Sequence, residues 1–167
     1  IKMATAIFYA SSTGNTGKIA EKISKKLENI EVFDLAGTNV EKMNNYEKII
    51  LGTSTWGDGE LNDDWMDIWI DFCKLNLSNK TIALFGLGDQ EGYSYEFSSA
   101  LGIIYEQIKN SGAEVIGFTS TDGYYHDDSK AQIEDKFVGL VIDEDNQSDL
   151  TNQRIENWIK EIKDKII

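Results

Sequence analysis

Residues 10–20, ASSTGNTGKIA, place four side-chain hydroxyls (Ser11, Ser12, Thr13, Thr16), the Asn15 amide and Gly14 between an apolar run and a helical pattern. Lys18, the one cation of the stretch, lies inside that pattern. Hydroxyls and backbone N–H groups at a helix start bind phosphate through aligned dipoles and hydrogen bonds, and a buried, permanently held anion needs no Lys or Arg. The loop has neither the Gly-Lys-Ser/Thr ending of a nucleoside triphosphatase nor a GxGxxG fingerprint. The chemistry it suits is therefore a phosphate monoester. An ordinary capped helix start, with Ser and Thr as caps, is the reading without a ligand.

Three more loops carry unusual residues. TSTWGDGEL (53–61) sets Trp56 among Thr53, Ser54, Thr55, Gly57, Asp58 and Gly59. A large ring on a glycine-rich loop is badly placed for a core and suits covering a flat aromatic ligand; packing on surface neighbours is the bland alternative. GLGDQEGYSYEF (86–97) offers Leu87, Gly88, Asp89 and a second exposed-looking ring, Tyr93. Two such aromatics on adjacent loops could sandwich one planar ring system, and turn chemistry before a helix is the alternative. DEDNQSDL (143–150) puts Asp145 where it could reach a ligand hydroxyl, and Ser148 or Asp149 where either could cap the last helix.

The elements that must position these loops follow from periodicity. Strand-like runs fall at 3–10, 30–35, 48–54, 80–88 and 113–120. Helical spacing appears at 15–28, from Asp63 (Trp65, Ile68, Trp69, Phe72), at 96–110 (Phe97, Leu101, Ile104, Ile108) and at about 150–165. Strands alternating with helices imply an α/β fold, a three-layer α/β/α sandwich around a five-stranded parallel sheet. Its crossovers are right-handed. Ligands of such folds bind at the carboxyl ends of the strands, which is where the four loops lie. The 167 residues suit a single domain, 1–167.

Acids outnumber bases 29 to 16, a net charge of −13. That excludes nucleic acid and anionic membrane as natural partners, since both need a cationic surface. It permits steering toward a basic protein. The apolar runs are too short to span a bilayer, and no leader pattern is present, so a soluble, cytoplasmic protein is expected. The single cysteine, Cys73, excludes an internal disulfide and reads as a buried structural thiol. One histidine, His126, and no cysteine pair argue against a zinc site or a Cys–His nucleophile.

Taken together, IFYASSTGNTGKIAEKI, TWGDGEL, GLGDQEGY and GLVIDEDNQSD resemble, in order and spacing, the flavodoxin family, and the resemblance covers essentially the whole chain. It implies the strand order 2-1-3-4-5 that the fold family shows. It also implies a last strand interrupted by residues 120–140, as in long-chain members, with His126 on the surface of that insertion. Ser54 departs from the family, in which proline is frequent at this position. The resemblance implies non-covalent FMN. Ser11, Ser12, Thr13, Gly14, Asn15 and Thr16 would cradle its phosphate, and Trp56 and Tyr93 would cover its ring. Thr53, Ser54, Thr55, Gly57, Asp58 and Gly59 would shape the loop beside the ring. Backbone groups near Leu87, Gly88 and Asp89 would meet its pyrimidine edge, and Asp145 a ribityl hydroxyl.

The implied function is low-potential one-electron transfer through a neutral semiquinone/hydroquinone couple, without substrate turnover. A basic-patched flavodoxin reductase would be the donor, acceptor enzymes the recipients, and the chain a monomer. Turnover of the Gly57–Asp58 peptide would present a carbonyl to flavin N5. An FMN-dependent quinone or nitro reductase on the same fold is the main alternative, and it needs an open substrate face over the flavin. A receiver module is excluded by Ser11, Ser12 and Thr53 standing where it needs acids.

Overall fold

The computed structural model describes residues 2–11 and 13–167. Its elements are β1 (Lys2–Ala10), α1 (Asn15–Lys26), β2 (Glu31–Asp34), β3 (Tyr46–Trp56), β4 (Glu60–Leu61), α2 (Asp63–Cys73), β5 (Thr81–Leu87), α3 (Ser99–Ile108), β6 (Glu114–Ile116), β7 (Thr119–Ser120), β8 (Gln132–Ile133), β9 (Lys136–Phe137), β10 (Leu140–Ile142) and α4 (Thr151–Ile166). The main strands are parallel: β2 pairs with β1, β1 with β3, and β3 with β5. Beyond β5 the outer position is filled twice, by β6 beside its first half and by β10 beside its second. This is the expected 2-1-3-4-5 arrangement with a split last strand.

Alternation along the strands sends apolar side chains to both faces. Ile7, Ile50, Phe85 and Ile142 pack with Ile19 and Ile23 of α1 and Trp158 and Ile162 of α4. Phe8, Leu51, Leu84 and Val141 pack with Trp65 and Phe72 of α2 and Leu101 and Ile104 of α3. A sheet buried on both faces has its ligand-accessible edge at the strand ends. Among the described residues no helix is long and apolar enough to cross a membrane.

The chain leaves the sheet at Gly117, three residues before the expected start of the insertion; the Gly117 carbonyl accepts from Trp158 Nε1–H at 2.9 Å. Within the insertion β7, β9 and β8 form a small antiparallel sheet. The insertion is bonded along residues 90–99. Tyr125 N–H donates to Gln90 Oε1 (2.7 Å), and Asp127 and Asp128 N–H to the Ser94 carbonyl (2.9 and 3.0 Å). Phe97 N–H donates to the Asp128 carbonyl at 3.2 Å. His126 is partly buried rather than freely exposed. Its ring packs on Phe97 and Phe137, with centroids 5.0 and 5.2 Å away, and its Nε2 bonds Gln132 Oε1 at 2.6 Å.

Three further expectations change. α3 starts at Ser99 rather than 96 because Ser98 has φ +53°, which a right-handed helix cannot contain. Neither Ser148 nor Asp149 caps α4. The preceding turn, Ser148–Leu150, is itself a 3-10 helix, so Leu150 occupies the cap position in a helical rather than extended conformation. Cys73 is half-buried, and burial pushes its thiol pKa up.

Candidate functional site

At the strand ends all four loops meet around one cavity of about 480 Å³, a size typical of small-molecule sites. Thr13, Asn15 and Thr16 line it from the first loop and Ser54, Thr55, Trp56 and Gly57 from the second. Leu87, Gly88, Asp89 and Tyr93 come from the third loop and Asp145 from the fourth. Ser12 lies outside the described residues. Ser11, Gly14, Thr53, Asp58 and Gly59 are not among the lining residues. Thr53 is fully buried and donates its hydroxyl to the Ser54 carbonyl at 2.7 Å, so it supports the loop from below. Ser11 Oγ accepts from Gly14 N–H at 2.8 Å and closes the turn that leads into α1.

The capped-start reading of α1 does not hold. Gly14 takes the N-cap position at φ +90°, no side chain among the described residues caps the helix, and no acid stands in its first turn. Among the described residues the first-turn N–H groups have no side-chain acceptor. Thr16 is fully buried, yet its Oγ1 has no hydrogen-bond partner among the described residues. An unpartnered buried hydroxyl is unfavourable by about 1–3 kcal/mol, and an anion at the helix start relieves it.

Trp56 is the last residue of β3 and is held out by a tight hairpin: β4 pairs antiparallel with β3, and Trp56 stands opposite Glu60. The side chain is 54% exposed. Gly59 sits in the turn at φ +94°, and the Glu96 carboxylate occupies the space where a Cβ would go. Ser54, the departure from proline, accepts a long contact from Asn62 Nδ2 at 3.5 Å, while Asn62 Oδ1 caps α2 through Trp65 N–H. Tyr93 is 49% exposed and follows a loop closed on Asp89. Asp89 Oδ1 accepts from Glu91 N–H, Gly92 N–H and Asn146 Nδ2 at 3.1, 2.8 and 2.8 Å.

The residue that holds the loops together is Asp143, fully buried at the end of β10, which the sequence did not single out. Its Oδ2 accepts from Gln90 N–H and Gln90 Nε2 at 3.1 and 2.8 Å. Its Oδ1 accepts from Asp145 N–H and Asn146 N–H at 3.1 and 3.0 Å. Gln90 Nε2 also donates to Gln147 Oε1 at 2.9 Å. The sequence also missed Glu96, Ser98 and Glu144, which line the cavity.

Carboxylate oxygens of Asp89, Asp143 and Asp145 lie within 4.8 Å of one another. Partial burial acts to raise the Asp89 pKa, but the Gly92, Asn146 and Glu91 hydrogen bonds outweigh it and hold the carboxyl below its usual value. Asp145 is pushed up by partial burial and then by the charges of Asp89 and Asp143. Asp64 is pushed up by burial and by Asp34, Asp67 and Asp63. Asp89 thus contributes stability that is complete above the unfolded carboxylate pKa of about 4 and lost as pH falls through its lower folded value. Asp145 and Asp64 have the opposite sign: ionised, they oppose folding, and the penalty is relieved as pH falls toward about 4. The apoprotein's urea midpoint is expected to rise as pH falls from 7 toward about 4 and to fall at lower pH. A steady decline from pH 7 downward would contradict these signs.

Comparison with known proteins agrees with this geometry. The profile of the family described as Flavodoxin matches residues 7–158. A flavodoxin of Helicobacter pylori is 46% identical over 157 residues, 94% of each chain. One from a Picosynechococcus species is 41% identical over 160 residues, again 94% of each. The structure of a Fusobacterium nucleatum flavodoxin bound to flavin mononucleotide superposes with a TM-score of 0.89 at 34% identity, covering 98% of this chain and 99% of that one. By family profile, sequence identity and fold, the chain belongs to the flavodoxin family.

Proposed function

We propose that the chain binds FMN non-covalently in this cavity and works as a low-potential carrier of single electrons, with no substrate turnover of its own. The observation that carries the proposal is one cavity combining an uncapped helix start, an unpartnered buried Thr16 hydroxyl and two half-exposed aromatic rings. Those features fit a phosphate monoester joined to a planar ring. The FMN-bound Fusobacterium relative supports the same reading. Bound FMN supplies the one-electron redox chemistry.

This chain's residues bind it and set its energetics. Thr13, Asn15 and Thr16 hold the phosphate, with Ser11 and Gly14 shaping the turn. Trp56 and Tyr93 flank the ring and exclude water. Leu87, Gly88 and Asp89 offer backbone groups to the pyrimidine edge, and Asp145 accepts from a ribityl hydroxyl. Gly57, at φ +50°, is already in the left-handed region, so reorienting the peptide that follows it carries little steric cost. Its carbonyl is the acceptor we assign to a proton held at flavin N5. Asp89, Glu96, Glu144 and Asp145 line the cavity and, among the described residues, no Lys or Arg does, so added negative charge there is disfavoured and the fully reduced state is a strong reductant. A quinone or nitro reductase needs an open face over the ring; Trp56 and Tyr93, one on each loop beside it, favour the carrier.

Thr16→Val tests the phosphate assignment. FMN affinity, measured by quenching of flavin fluorescence, is expected to fall about tenfold with the loss of one hydrogen bond to a charged group. Apoprotein stability is expected to hold or rise, because a methyl replaces a hydroxyl that has no partner in the protein. Unchanged affinity would remove Thr16 from the site.

The partners we infer are redox proteins with a basic patch around their own cofactor. Exposed Met66 and Ile70 on α2 lie among Asp63, Asp67 and Asp71, giving an apolar surface with an acidic surround on a chain of net charge −13. Transfer to such a partner should slow as salt shortens the Debye length below about 10 Å. A rate independent of salt would argue against electrostatic docking.

A further inference from the structure

The two edges of the main sheet are guarded differently. At one edge, β2 has Glu31 and Asp34 exposed at its ends and Lys42 Nζ lying 4.5 Å over the Phe33 ring. Charges on an edge strand deter pairing with another chain. At the other edge, β6 pairs only with β5 among the described residues. Glu114 N–H enters that ladder by donating to the Lys80 carbonyl at 2.8 Å. A parallel ladder uses alternate residues, so Glu114 and Ile116 bond β5, while both backbone groups of Val115 and the N–H of Gly117 face outward. Val115, Ile116, Gly117 and Phe118 are all half-buried, and no charged residue stands among them. They line a groove of about 350 Å³ whose other wall is Glu161, Ile162 and Lys165 of α4. Val115 and Phe118 pack on the core of one sheet face, Ile116 and Ile162 on that of the other, so the open edge is apolar on both sides. Lys165 is engaged by Glu114 at 3.2 Å, whereas Glu161 has no ion pair among the described residues.

We propose that this groove takes an extended, apolar and basic segment of a partner protein as an added strand. The outward groups of Val115 and Gly117 bond its backbone, apolar side chains cover Val115 and Phe118, and a lysine or arginine meets Glu161. The unpaired Glu161 and the net charge of −13 favour a cationic segment and oppose a second copy of this chain. β6 lies beside Thr81–Ala83 at the start of β5, whereas the cavity opens beyond the end of that strand at Leu87. A segment bound here therefore tethers the partner without covering the ring-bearing loops.

The test titrates the FMN-reconstituted protein with an acetylated, amidated seven-residue peptide of alternating lysine and valine, read by amide shifts in nuclear magnetic resonance. Saturable shifts are expected at Val115, Gly117 and the facing turn of α4. The same peptide methylated on its bonding backbone nitrogens should bind about tenfold more weakly, and so should one with glutamate in place of lysine. Glu161→Gln should weaken the lysine peptide by about threefold. Val115→Pro, which an edge position tolerates and which removes the outward N–H, should weaken it by about tenfold with FMN uptake unchanged. Should Val115→Pro fail to fold, Glu161→Gln and the methylated peptide decide the matter. The proposal is overturned if the lysine peptide gives no saturable shift at β6, if methylation or Glu161→Gln leaves its affinity unchanged, or if the glutamate peptide binds as well. Sedimentation showing a dimer that the lysine peptide dissociates would also overturn it, because a second copy would then be what covers the edge.

Discussion

Asp143→Ala is expected to abolish tight FMN binding and to destabilise the apoprotein by about 3 kcal/mol or more. The carboxylate is fully buried and accepts from Gln90 N–H, Gln90 Nε2, Asp145 N–H and Asn146 N–H. Truncation leaves those donors facing a void, and an unsatisfied buried donor is far more unfavourable than the modest net worth of one hydrogen bond. The effect reaches the cavity because Gln90 belongs to the loop between Gly88 and Tyr93, while Asp145 stands on the other loop that Asp143 anchors. Asp143→Asn keeps the shape but turns one amide N–H₂ toward donors, so it should recover only part of the loss. Urea unfolding of the apoprotein and an FMN titration measure both effects. A variant within about 1 kcal/mol of wild type with normal affinity would show that the loops are ordered by other contacts.

Trp56→Ala and Tyr93→Ala should each weaken FMN binding by roughly 10- to 100-fold, the range expected from stacking worth about 1–3 kcal/mol. Both side chains are about half exposed, so neither truncation should change apoprotein stability by more than about 0.5 kcal/mol. Affinity and stability are thereby separated, which distinguishes rings displayed for a ligand from rings that pack. If the two rings act on opposite faces of the flavin, the losses add in the double variant. A loss of stability with affinity intact would return both residues to the surface-packing role.

Much of this was legible in the sequence because it is local. The spacing of Ile19 and Ile23, or of Leu101, Ile104 and Ile108, marks a buried helix face without reference to anything distant. The continuous apolar runs at 48–54 and 80–88 mark strands covered on both sides. The hydroxyl loop and Trp56 were conspicuous because their types were wrong for a core. What was missed depends on contacts remote in sequence. Asp143 read as the first residue of an acidic loop before the last helix; its partner Gln90 is 53 residues earlier. His126 read as a surface residue because Phe97, which packs on it, lies in another loop. Glu96 and Ser98 were absorbed into a helix by periodicity, and only the left-handed turn at Ser98 shows that the segment belongs to the cavity. The early departure of the insertion at Gly117 follows from its bond to Trp158 in α4, which no local pattern contains.

The most direct measurement is a visible spectrum recorded during stepwise reduction of the protein reconstituted with FMN. A carrier of single electrons, with Gly57 able to turn its carbonyl and carboxylates disfavouring the fully reduced anion, predicts long-wavelength absorbance of half-reduced flavin that peaks near one electron per flavin and then decays. Direct conversion of oxidised to fully reduced flavin, with no half-reduced form at any point, would contradict it.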